Sequence, residues 1–452
     1  PTYIYPVVPA YAATMAARAG HEVLWADGIA EEWSAEEFEK SYLDFAPDFT
    51  LIEAKTPIVK AYWKTVARLK EIHPRGLIAL CGDHVTALPE ESLKNCPVDF
   101  VITGGDYDFT VVELLAQIKE TATHPPLGNH KEQAGIQPPS AHPPSPPWRG
   151  ARVREGGVGS PSATPRETDL PQGIYYRDGD AIAHTGAFEL TRDLNDLPFI
   201  DRELTRWELY AYENGNFRYT PGTYTMAGRD CWWGRCAFCS WTTLYNKWRA
   251  QTPERLLEEI GHLLKRYPIK EIFDDTGCFP AGKWLRDFCH GMIARGYNKR
   301  VVLGCNMIPG VLSQELYDLM ADAGFRFVLF GLESADQQTL DRIQKCGKAR
   351  DIENSMRMAK QAGLEPHVTC MVGYPWETRE QAQATIDLTR KLFDQGHIDT
   401  LQATIVIPYP GTPLFKECRE KGWLKTEDWD RYDMREPVMQ TPMPDEEIMR
   451  MT

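Results

Sequence analysis

A regular alternation of strand and helix patterns in the second half of the chain constrains the fold most strongly. From Gly222 onward, six short apolar runs suited to strands are separated by helix patterns such as Pro253 to Lys265, for which Thr252 is the expected N-cap. Because a complete β/α barrel has eight units, six units predict an open (β/α)6 barrel. The predicted strands are Thr223 to Ala227, Glu271 to Asp274, Val301 to Cys305, Phe327 to Phe330, Val368 to Val372 and Gln402 to Ile407.

Three cysteines lie close together directly after the first of these strands. Cys231, Cys236 and Cys239 fall on a loop that also contains Gly228 and Gly234. The chain has 11 cysteines, an odd number scattered over 452 residues, which does not indicate a disulfide framework. Most of the others sit singly in apolar runs, where a thiol usually acts as a small buried side chain.

Clustered thiolates indicate a soft metal: zinc, copper(I) or an iron–sulfur cluster. A structural zinc site normally takes four ligands in two separated pairs, and the sequence offers no second close Cys or His pair. Three cysteines on a [4Fe–4S] cluster leave one iron free to bind a substrate or cosubstrate. The spacing therefore favours a three-cysteine [4Fe–4S] cluster, with zinc and unliganded thiols as the alternatives.

The loop resembles that of the radical S-adenosylmethionine (SAM) enzymes that carry an N-terminal cobalamin-binding domain. As in that family, an aromatic residue, Phe238, directly precedes the last cysteine. The family usually has three residues between the first two cysteines, whereas four separate Cys231 from Cys236 here. Gly234 is the residue able to absorb the additional position by bulging the loop.

Segments after the fourth, fifth and sixth predicted strands resemble the same family in the same order. They are Gly331 to Ser334, Val372 to Glu377 and Pro410 to Pro413. The resemblance implies that the three cysteines hold the cluster and that SAM contacts Phe238, Glu333, Ser334 and Gly373. Asp274, Asp275 and Asn306, at strand ends, are candidates to contact SAM or substrate, and a capping or core role is the equal alternative.

Residues 1–120 show a second alternation, which predicts a parallel Rossmann-like sheet and hence an α/β fold. The pattern begins with a helix, Ala10 to Ala19, so the first strand is expected to be missing. A further helix is predicted over Tyr62 to Ile72. The predicted strands are His21 to Trp25, Phe49 to Ile52, Gly76 to Cys81 and Asp99 to Ile102.

The loops after these strands are similar to those around cobalamin in the family's N-terminal domain. The resemblance implies cobalamin contacts at Thr56, Gly82, Asp83, Gly104 and Gly105. An Asp-x-His-x-x-Gly loop is not found where it is expected, so cobalt is predicted to lack an axial histidine from that motif. His84 is interpreted as a loop histidine, because its neighbours match a different loop.

These patterns divide the chain into five parts. Residues 1–120 are the cobalamin-binding unit, 121–172 a proline-rich disordered linker or insertion, and 173–215 a connecting segment with a hairpin at Asp178-Gly179. Residues 216–415 are the barrel, and 416–452 are a tail without a clear pattern.

The charge and the apolar content of the chain limit the classes of partner that it can bind. A net charge of -14 argues against a nucleic-acid partner, because phosphate contacts need clustered cations. No apolar run is long enough to span a bilayer, and Pro1 to Pro9 does not match a secretion signal, so a cytoplasmic location is expected. The expected partners are a small-molecule substrate and an electron donor such as flavodoxin or ferredoxin.

The resemblance implies an enzyme that uses a [4Fe–4S] cluster, SAM and cobalamin. Its expected reaction is reductive cleavage of SAM to a 5′-deoxyadenosyl radical and methylation of an unactivated carbon. Cyclisation or rearrangement on the same scaffold is one alternative. A non-catalytic, metal-stabilised protein that binds a nucleotide-like ligand is the other.

Overall fold

The computed structural model describes residues 3–123 and 170–452. Most of the predicted proline-rich linker, residues 124–169, lies outside the described residues. The first sheet has the order β1-β2-β3-β4-β5, with β1 to β3 parallel and β4 and β5 antiparallel. Its strands are β1 (Phe49–Glu53), β2 (Leu77–Cys81), β3 (Phe100–Ile102), β4 (Ile174–Asp178) and β5 (Ala181–His184).

Among the described residues, six α-helices accompany this sheet. In α1 and α3 the predicted helices are confirmed to within a few residues. The helices are α1 (Val7–Arg18), α2 (Ala35–Phe45), α3 (Val59–Ile72), α4 (Asp83–Ala87), α5 (Pro89–Asn95) and α6 (Tyr107–Thr123).

The predicted strand from His21 to Trp25 is wrong. This segment has no regular secondary structure, and no described strand pairs with it. An apolar run becomes a strand only when a neighbour completes its backbone hydrogen bonds, and periodicity alone does not reveal whether that neighbour exists. The Trp25 indole instead donates a hydrogen bond to the hydroxyl of Tyr210, at 3.2 Å.

The predicted hairpin at Asp178-Gly179 is confirmed, with Asp178 opposite Ala181 and Gly179 at φ +58°. It lies in the first sheet, because Tyr176 of β4 pairs with Phe100 of β3.

The second sheet is the predicted open barrel. Six parallel strands follow the order β13-β12-β11-β10-β9-β6, and the edge strands β6 and β13 do not pair with each other. A short ribbon, β7 with β8, leaves the barrel beside β6. The strands are β6 (Gly222–Thr225), β7 (Gly228–Arg229), β8 (Arg249–Ala250), β9 (Glu271–Asp274), β10 (Val302–Met307), β11 (Phe325–Glu333), β12 (Glu365–Val372) and β13 (Thr400–Ile405).

Helices separate most of these strands. Thr252 caps α8 as predicted, because its side chain accepts a hydrogen bond from the Arg255 amide. The apolar face of α8 is buried against the sheet, and α9 packs beside it. The helices are α7 (Trp241–Leu244), α8 (Pro253–Arg266), α9 (Lys283–Ala294), α10 (Gln314–Asp322), α11 (Gln337–Arg342), α12 (Ala349–Gln361), α13 (Arg379–Asp394), α14 (Pro413–Glu420) and α15 (Asp445–Met451).

The two sheets meet through the loops at the carboxyl ends of their strands. The Gly105 amide, after β3, donates to the carbonyl of Leu244 in α7 at 2.9 Å. The tail joins the contact: the Trp429 indole donates to Glu91 at 2.9 Å, and Lys60 pairs with Asp428 at 2.5 Å. The tail is therefore packed against the first sheet, although its sequence shows no periodic pattern. Within the described ranges, none of the helices is long and apolar enough to span a membrane.

Candidate functional site

The cysteine loop is fixed between two other loops of the barrel mouth. The Ala237 amide donates to the carbonyl of Ile343 at 2.8 Å, and the Ala237 carbonyl accepts from the Leu414 amide at 2.8 Å. Inside the loop, the Cys239 amide donates to the Cys236 carbonyl at 3.2 Å. These contacts place the loop at the carboxyl end of the strands, where barrels bind ligands.

The additional residue between the first two cysteines is accommodated as expected. Gly234 has φ +57°, a left-handed conformation that glycine adopts without strain. A Cβ at this position would lie 3.3 Å from the Cys231 carbonyl oxygen. The neighbouring Asp230 also has a positive φ, +76°. The loop therefore turns tightly on both sides of Cys231.

The three thiols lie close enough to influence one another. A hydrogen bond from Cys278 lowers the pKa of Cys231 to about 6, and the backbone amides of Trp233 and Gly234 add to this effect. Burial raises the pKa of Cys236 to about 12 and that of Cys239 to about 11. The Cys231 thiol is therefore the most acidic of the three, and all three become thiolates when they bind a metal.

Lys345 supplies a positive charge beside all three thiols and lowers the pKa of each. Its ammonium lies 2.6 Å from Glu333, and only 11% of the Lys345 side chain is exposed. Glu333 has φ +62°, and a Cβ on Gly331 would lie 2.3 Å from its carboxylate. Glycine at 331 is therefore required for this carboxylate to lie where it does.

The other predicted SAM contacts, which remain predictions, lie around this ion pair with roles inside the chain. Ser334 is buried, and its hydroxyl accepts from the Asp336 amide at 3.1 Å. Gly373 has φ +91°, and its amide donates to Glu377 at 2.7 Å. Phe238 is half-buried and packs with the cluster that contains Tyr374.

The chemistry of the donor set fits an iron–sulfur cluster. Within residues 3–123 and 170–452, no group of three His, Cys, Asp or Glu side chains is placed to hold a single metal ion. A cubane binds each cysteine on a separate iron, so its ligands need no common point. Three half-buried soft donors beside one ammonium suit that arrangement better than a zinc site.

The predicted cobalamin contacts lie in the loops after β1, β2 and β3, and they too remain predictions. Buried His84 uses both ring nitrogens: Nδ1 lies 3.2 Å from the Thr56 hydroxyl and Nε2 lies 2.9 Å from Glu91. Thr56 is therefore engaged with His84, which lies in the short helix α4 rather than in a loop. A Cβ on Gly82 would lie 2.8 Å from the Ala54 carbonyl, so Gly82 allows two loops to approach.

Gly104 and Gly105 are covered by aromatic side chains of the same chain. A Cβ on Gly104 would lie 2.6 Å from Phe188, and one on Gly105 would lie 1.9 Å from Tyr245. Gly105 allows the first sheet to pack against the barrel, and Gly104 allows it to pack against Phe188 of the connecting segment.

Charged side chains of the loops after β1, β2 and β9 lie within electrostatic reach of one another. Nearly half of the Lys55 side chain is accessible, yet the surrounding protein desolvates it, and Glu53 and Asp83 keep its pKa raised. Burial raises the pKa of Asp83, and burial followed by Asp274 raises the pKa of Asp275 to about 7. These charges are therefore coupled across the boundary between the two units.

Asp274 and Asp275 have different roles. Asp274 is buried and accepts hydrogen bonds from Thr225, the Ala227 amide and Thr276. Asp274 joins the ends of β6 and β9. It therefore has the core role that was the alternative to contact with SAM or substrate. Asp275 lies within electrostatic reach of Lys55, across the boundary between the two units.

Sequence reasoning missed a buried ion network between the two units. Arg229, two positions before Cys231, pairs with Asp108 and with Asp106 at 2.5 and 2.7 Å, and Asp106 also pairs with Arg249 at 2.6 Å. Arg229 and Asp108 are 1% and 0% exposed. The sequence shows an arginine beside the cysteine loop and acidic residues after Gly105. It does not show that they pair, because only the fold brings them together.

Three tryptophans line a groove of about 410 Å³ beside the cysteine loop. They are Trp232, Trp248 and Trp284, and Val311 closes one side. The Trp284 indole donates to the Gln251 carbonyl at 2.8 Å, which fixes its ring.

Residues 227–389, which include the cysteine loop, match the Radical SAM superfamily. This region is therefore a radical SAM domain, and the resemblance based on the motifs is confirmed.

Most of the chain is also similar to named proteins. It is 27% identical to a protein of Pyrococcus horikoshii described as an uncharacterized methyltransferase, over 96% of this chain and 83% of the relative. It is 24% identical to the anaerobic magnesium-protoporphyrin IX monomethyl ester cyclase of Cereibacter sphaeroides, over 91% of this chain. The match spans only 60% of the cyclase's length.

Among solved structures, the radical SAM methyltransferase TsrM from Kitasatospora setae, with cobalamin and a [4Fe–4S] cluster bound, has the same fold. The TM-score is 0.68 at 15% identity, covering 94% of this chain and 74% of TsrM. The predicted fold, a Rossmann-like unit followed by an open (β/α)6 barrel, is confirmed.

Proposed function

We propose that this chain is a cobalamin-dependent radical SAM methyltransferase that acts on an unactivated carbon of a small molecule. The observation that carries the proposal is the set of three mutually close thiols at the barrel mouth, beside the Lys345–Glu333 pair. The similarity to a methyltransferase over 96% of the chain supports methyl transfer. TsrM, which shares the fold, is described with cobalamin and a [4Fe–4S] cluster bound.

The residues would divide the work as follows. Cys231, Cys236 and Cys239 would hold the cluster, and Lys345 would offset their negative charge. Glu333 lies beside them and would orient SAM through a carboxylate held by Lys345. Together, the bound cofactors supply one-electron cleavage of SAM to a 5′-deoxyadenosyl radical and a methyl group for transfer.

The loops at the boundary between the two units would hold cobalamin and substrate. Lys55 and Asp83 belong to these loops on the side of the first sheet, and Asp275 on the side of the barrel. The packing of Tyr245 on Gly105 fixes the two units against each other. A fixed separation would hold reacting groups in the right orientation.

A cyclase is the second candidate. The similarity to the anaerobic cyclase extends over 91% of this chain and includes both units. Both reactions would begin with the same SAM cleavage, so the product distinguishes them.

The experiment is anaerobic reconstitution with iron, sulfide, cobalamin and SAM under reducing conditions. We expect about four irons per chain, a bound corrinoid spectrum and formation of 5′-deoxyadenosine. Cys236→Ala should lose the cluster, and Cys418→Ala, which changes a buried thiol elsewhere, should retain it. A colourless protein that leaves SAM intact would refute the proposal.

An electron donor such as flavodoxin or ferredoxin is part of the proposal, because reductive cleavage consumes one electron. Replacing the chemical reductant by reduced flavodoxin tests this requirement. We expect 5′-deoxyadenosine to form with either reductant. Its formation with the chemical reductant alone would show that flavodoxin is not the donor.

A further inference from the structure

The groove lined by Trp232, Trp248 and Trp284, which we call the tryptophan groove, lies apart from the predicted cofactor contacts. Among the described residues that line it, none belongs to a strand of the barrel sheet, and none is a predicted contact of SAM or cobalamin. All three indoles are half-buried, and Trp232 directly follows Cys231 in the chain. The groove is therefore a separate feature of the surface that borders a predicted cluster ligand.

Two exposed cations lie on the segments that carry these tryptophans. Lys247 directly precedes Trp248. Arg235 lies in the cysteine loop and stacks over the ring of Trp233, 5.2 Å from its centroid. The Trp233 indole donates to the Gln344 carbonyl at 2.6 Å, which joins the cysteine loop to the loop between α11 and α12.

A third exposed cation, Lys348, belongs to that second loop. A Cβ on the preceding residue, Gly347, would lie 3.0 Å from the carbonyl of Pro309. Pro309 is in the loop after β10, which continues to Val311 at one side of the groove. Lys348 is therefore carried by a loop that contacts a wall of the groove.

These three cations are available to attract an acidic partner. In the part of the chain that the structure describes, none of Arg235, Lys247 and Lys348 forms an ion pair or a side-chain hydrogen bond. Asp351, three residues after Lys348, lies 3.8 Å from Arg350, which offsets its charge. The chain as a whole has a net charge of -14 and repels an acidic protein. Screening limits exposed charges to about 10 Å at 0.1 M salt, so local cations decide where such a protein docks.

We propose that the tryptophan groove and its three cations form the docking surface for the electron donor, a small protein that carries one electron and presents an acidic face. The inference rests on the proposed function, because reductive cleavage of SAM is the step that requires a donor. One electron passes from the reduced donor to the cluster for each SAM that is cleaved. Electron-transfer complexes bury small interfaces, below about 1,200 Å², with an aromatic centre and a polar rim. The groove supplies the centre and the cations supply the rim, next to a predicted cluster ligand.

The test compares two reductants of the reconstituted protein. Reduced flavodoxin is an acidic protein that needs a docking surface, whereas dithionite is a small chemical reductant that does not. The initial rate of 5′-deoxyadenosine formation is measured as the reductant concentration rises. Combining Lys247→Glu with Lys348→Glu should raise the flavodoxin concentration for half-maximal rate by about tenfold or more, because both changes repel an acidic face. The rate with dithionite should stay as in the wild type.

Two further variants separate the groove from general charge effects. Trp248→Ala removes part of the apolar centre and should also raise the half-maximal flavodoxin concentration. Added salt should weaken the flavodoxin reaction of Trp248→Ala as in the wild type, and that of the double variant much less. Lys299→Glu is the matched control, because Lys299 is an exposed lysine without an ion pair among the described residues. It precedes β10, at the opposite end of the strands from the cysteine loop, and should leave both reactions unchanged.

The outcomes distinguish this inference from the proposed function. A higher flavodoxin requirement in the double variant supports it, provided that iron content, the electron paramagnetic resonance (EPR) signal and the dithionite rate equal those of the wild type. An unchanged requirement in the double variant, or an equal rise in Lys299→Glu, would overturn it. A lower dithionite rate in Trp248→Ala would also overturn it, because the groove would then serve SAM or substrate.

A wild-type chain that reacts with dithionite and not with flavodoxin would overturn the inference and leave the proposed function intact. A wild-type chain that forms no 5′-deoxyadenosine with dithionite would refute both.

Discussion

Lys345 and Glu333 form an ion pair at 2.6 Å, with 11% and 8% of their side chains exposed, beside the three thiols of the cysteine loop. A charge left unpaired in such a place is expected to destabilise the fold by about 3–5 kcal/mol. Lys345→Met should have this effect on the free energy of unfolding, measured by urea denaturation of the apo protein. Adding Glu333→Gln to the same variant should recover most of the loss.

The matched control is Lys391→Met, which breaks the pair with Glu353 on exposed side chains. We expect it to change the free energy of unfolding by less than about 1 kcal/mol. If Lys345→Met were as mild as this control, the pair beside the thiols would not be an energetically important contact.

Asp108 and Arg229 join the first sheet to the strand that leads into the cysteine loop. Because both side chains are fully buried, Asp108→Ala should leave the guanidinium undercompensated and destabilise the chain by about 3 kcal/mol or more. Glu315→Ala removes an exposed partner of Arg286 and should change stability by less than about 1 kcal/mol. Thermal unfolding of both variants gives the comparison, and equal midpoints would contradict the assignment.

Gly234 has a left-handed conformation at φ +57° inside the cysteine loop. Gly234→Ala should cost about 1 kcal/mol in the loop and reduce the iron retained after reconstitution. Gly296→Ala has the same kind of strain at φ +65°, away from the loop and with no neighbour within 4 Å of the added Cβ. Iron analysis should distinguish the two, and equal iron loss in both would show that strain in the loop is not the cause.

Glu377 gives the fold a pH dependence. Burial, opposed by hydrogen bonds from the amides of Gly373 and Tyr374, raises its pKa from 4.5 to about 7. Its carboxyl stays protonated in the folded chain while the unfolded chain ionises, so stability should fall between about pH 4.5 and pH 7. The decrease corresponds to about 3 kcal/mol, at 1.36 kcal/mol for each unit of pKa.

Glu377→Gln removes this titration and should make the urea midpoint fall less steeply over that interval, while Asp275, whose pKa is also raised to about 7, keeps its own contribution. Glu446→Gln, at an exposed carboxylate of α15, should leave the dependence as it is in the wild type. An unchanged slope in Glu377→Gln would assign the pH dependence to another group.

The sequence predicts the periodic parts of this fold well. Six barrel strands and the cap at Thr252 follow from local patterns, because each depends on residues near it in the chain. His21 to Trp25 fails as a strand, since strand formation depends on a partner far away in sequence. The tail from residue 416 shows no period because single side chains, such as Trp429, anchor it to the first sheet.

The same distinction between local patterns and long-range contacts applies to the candidate site. Cys231, Cys236 and Cys239 were predicted from their spacing and from family resemblance, and Gly234 from the additional residue. Lys345 and Cys278 were missed because they come from other loops and belong to no motif. Residues from distant loops therefore determine what surrounds the predicted cluster ligands, whereas the predicted ligands themselves lie close together in the sequence.

The central claim is that three cysteines hold a [4Fe–4S] cluster with one iron open to SAM. The most direct measurement is the EPR spectrum of the reduced, reconstituted protein before and after SAM is added. We predict a four-iron cluster whose signal changes when SAM binds and disappears in Cys231→Ala. A signal that SAM leaves unchanged, from a cluster that survives in Cys231→Ala, would contradict the account.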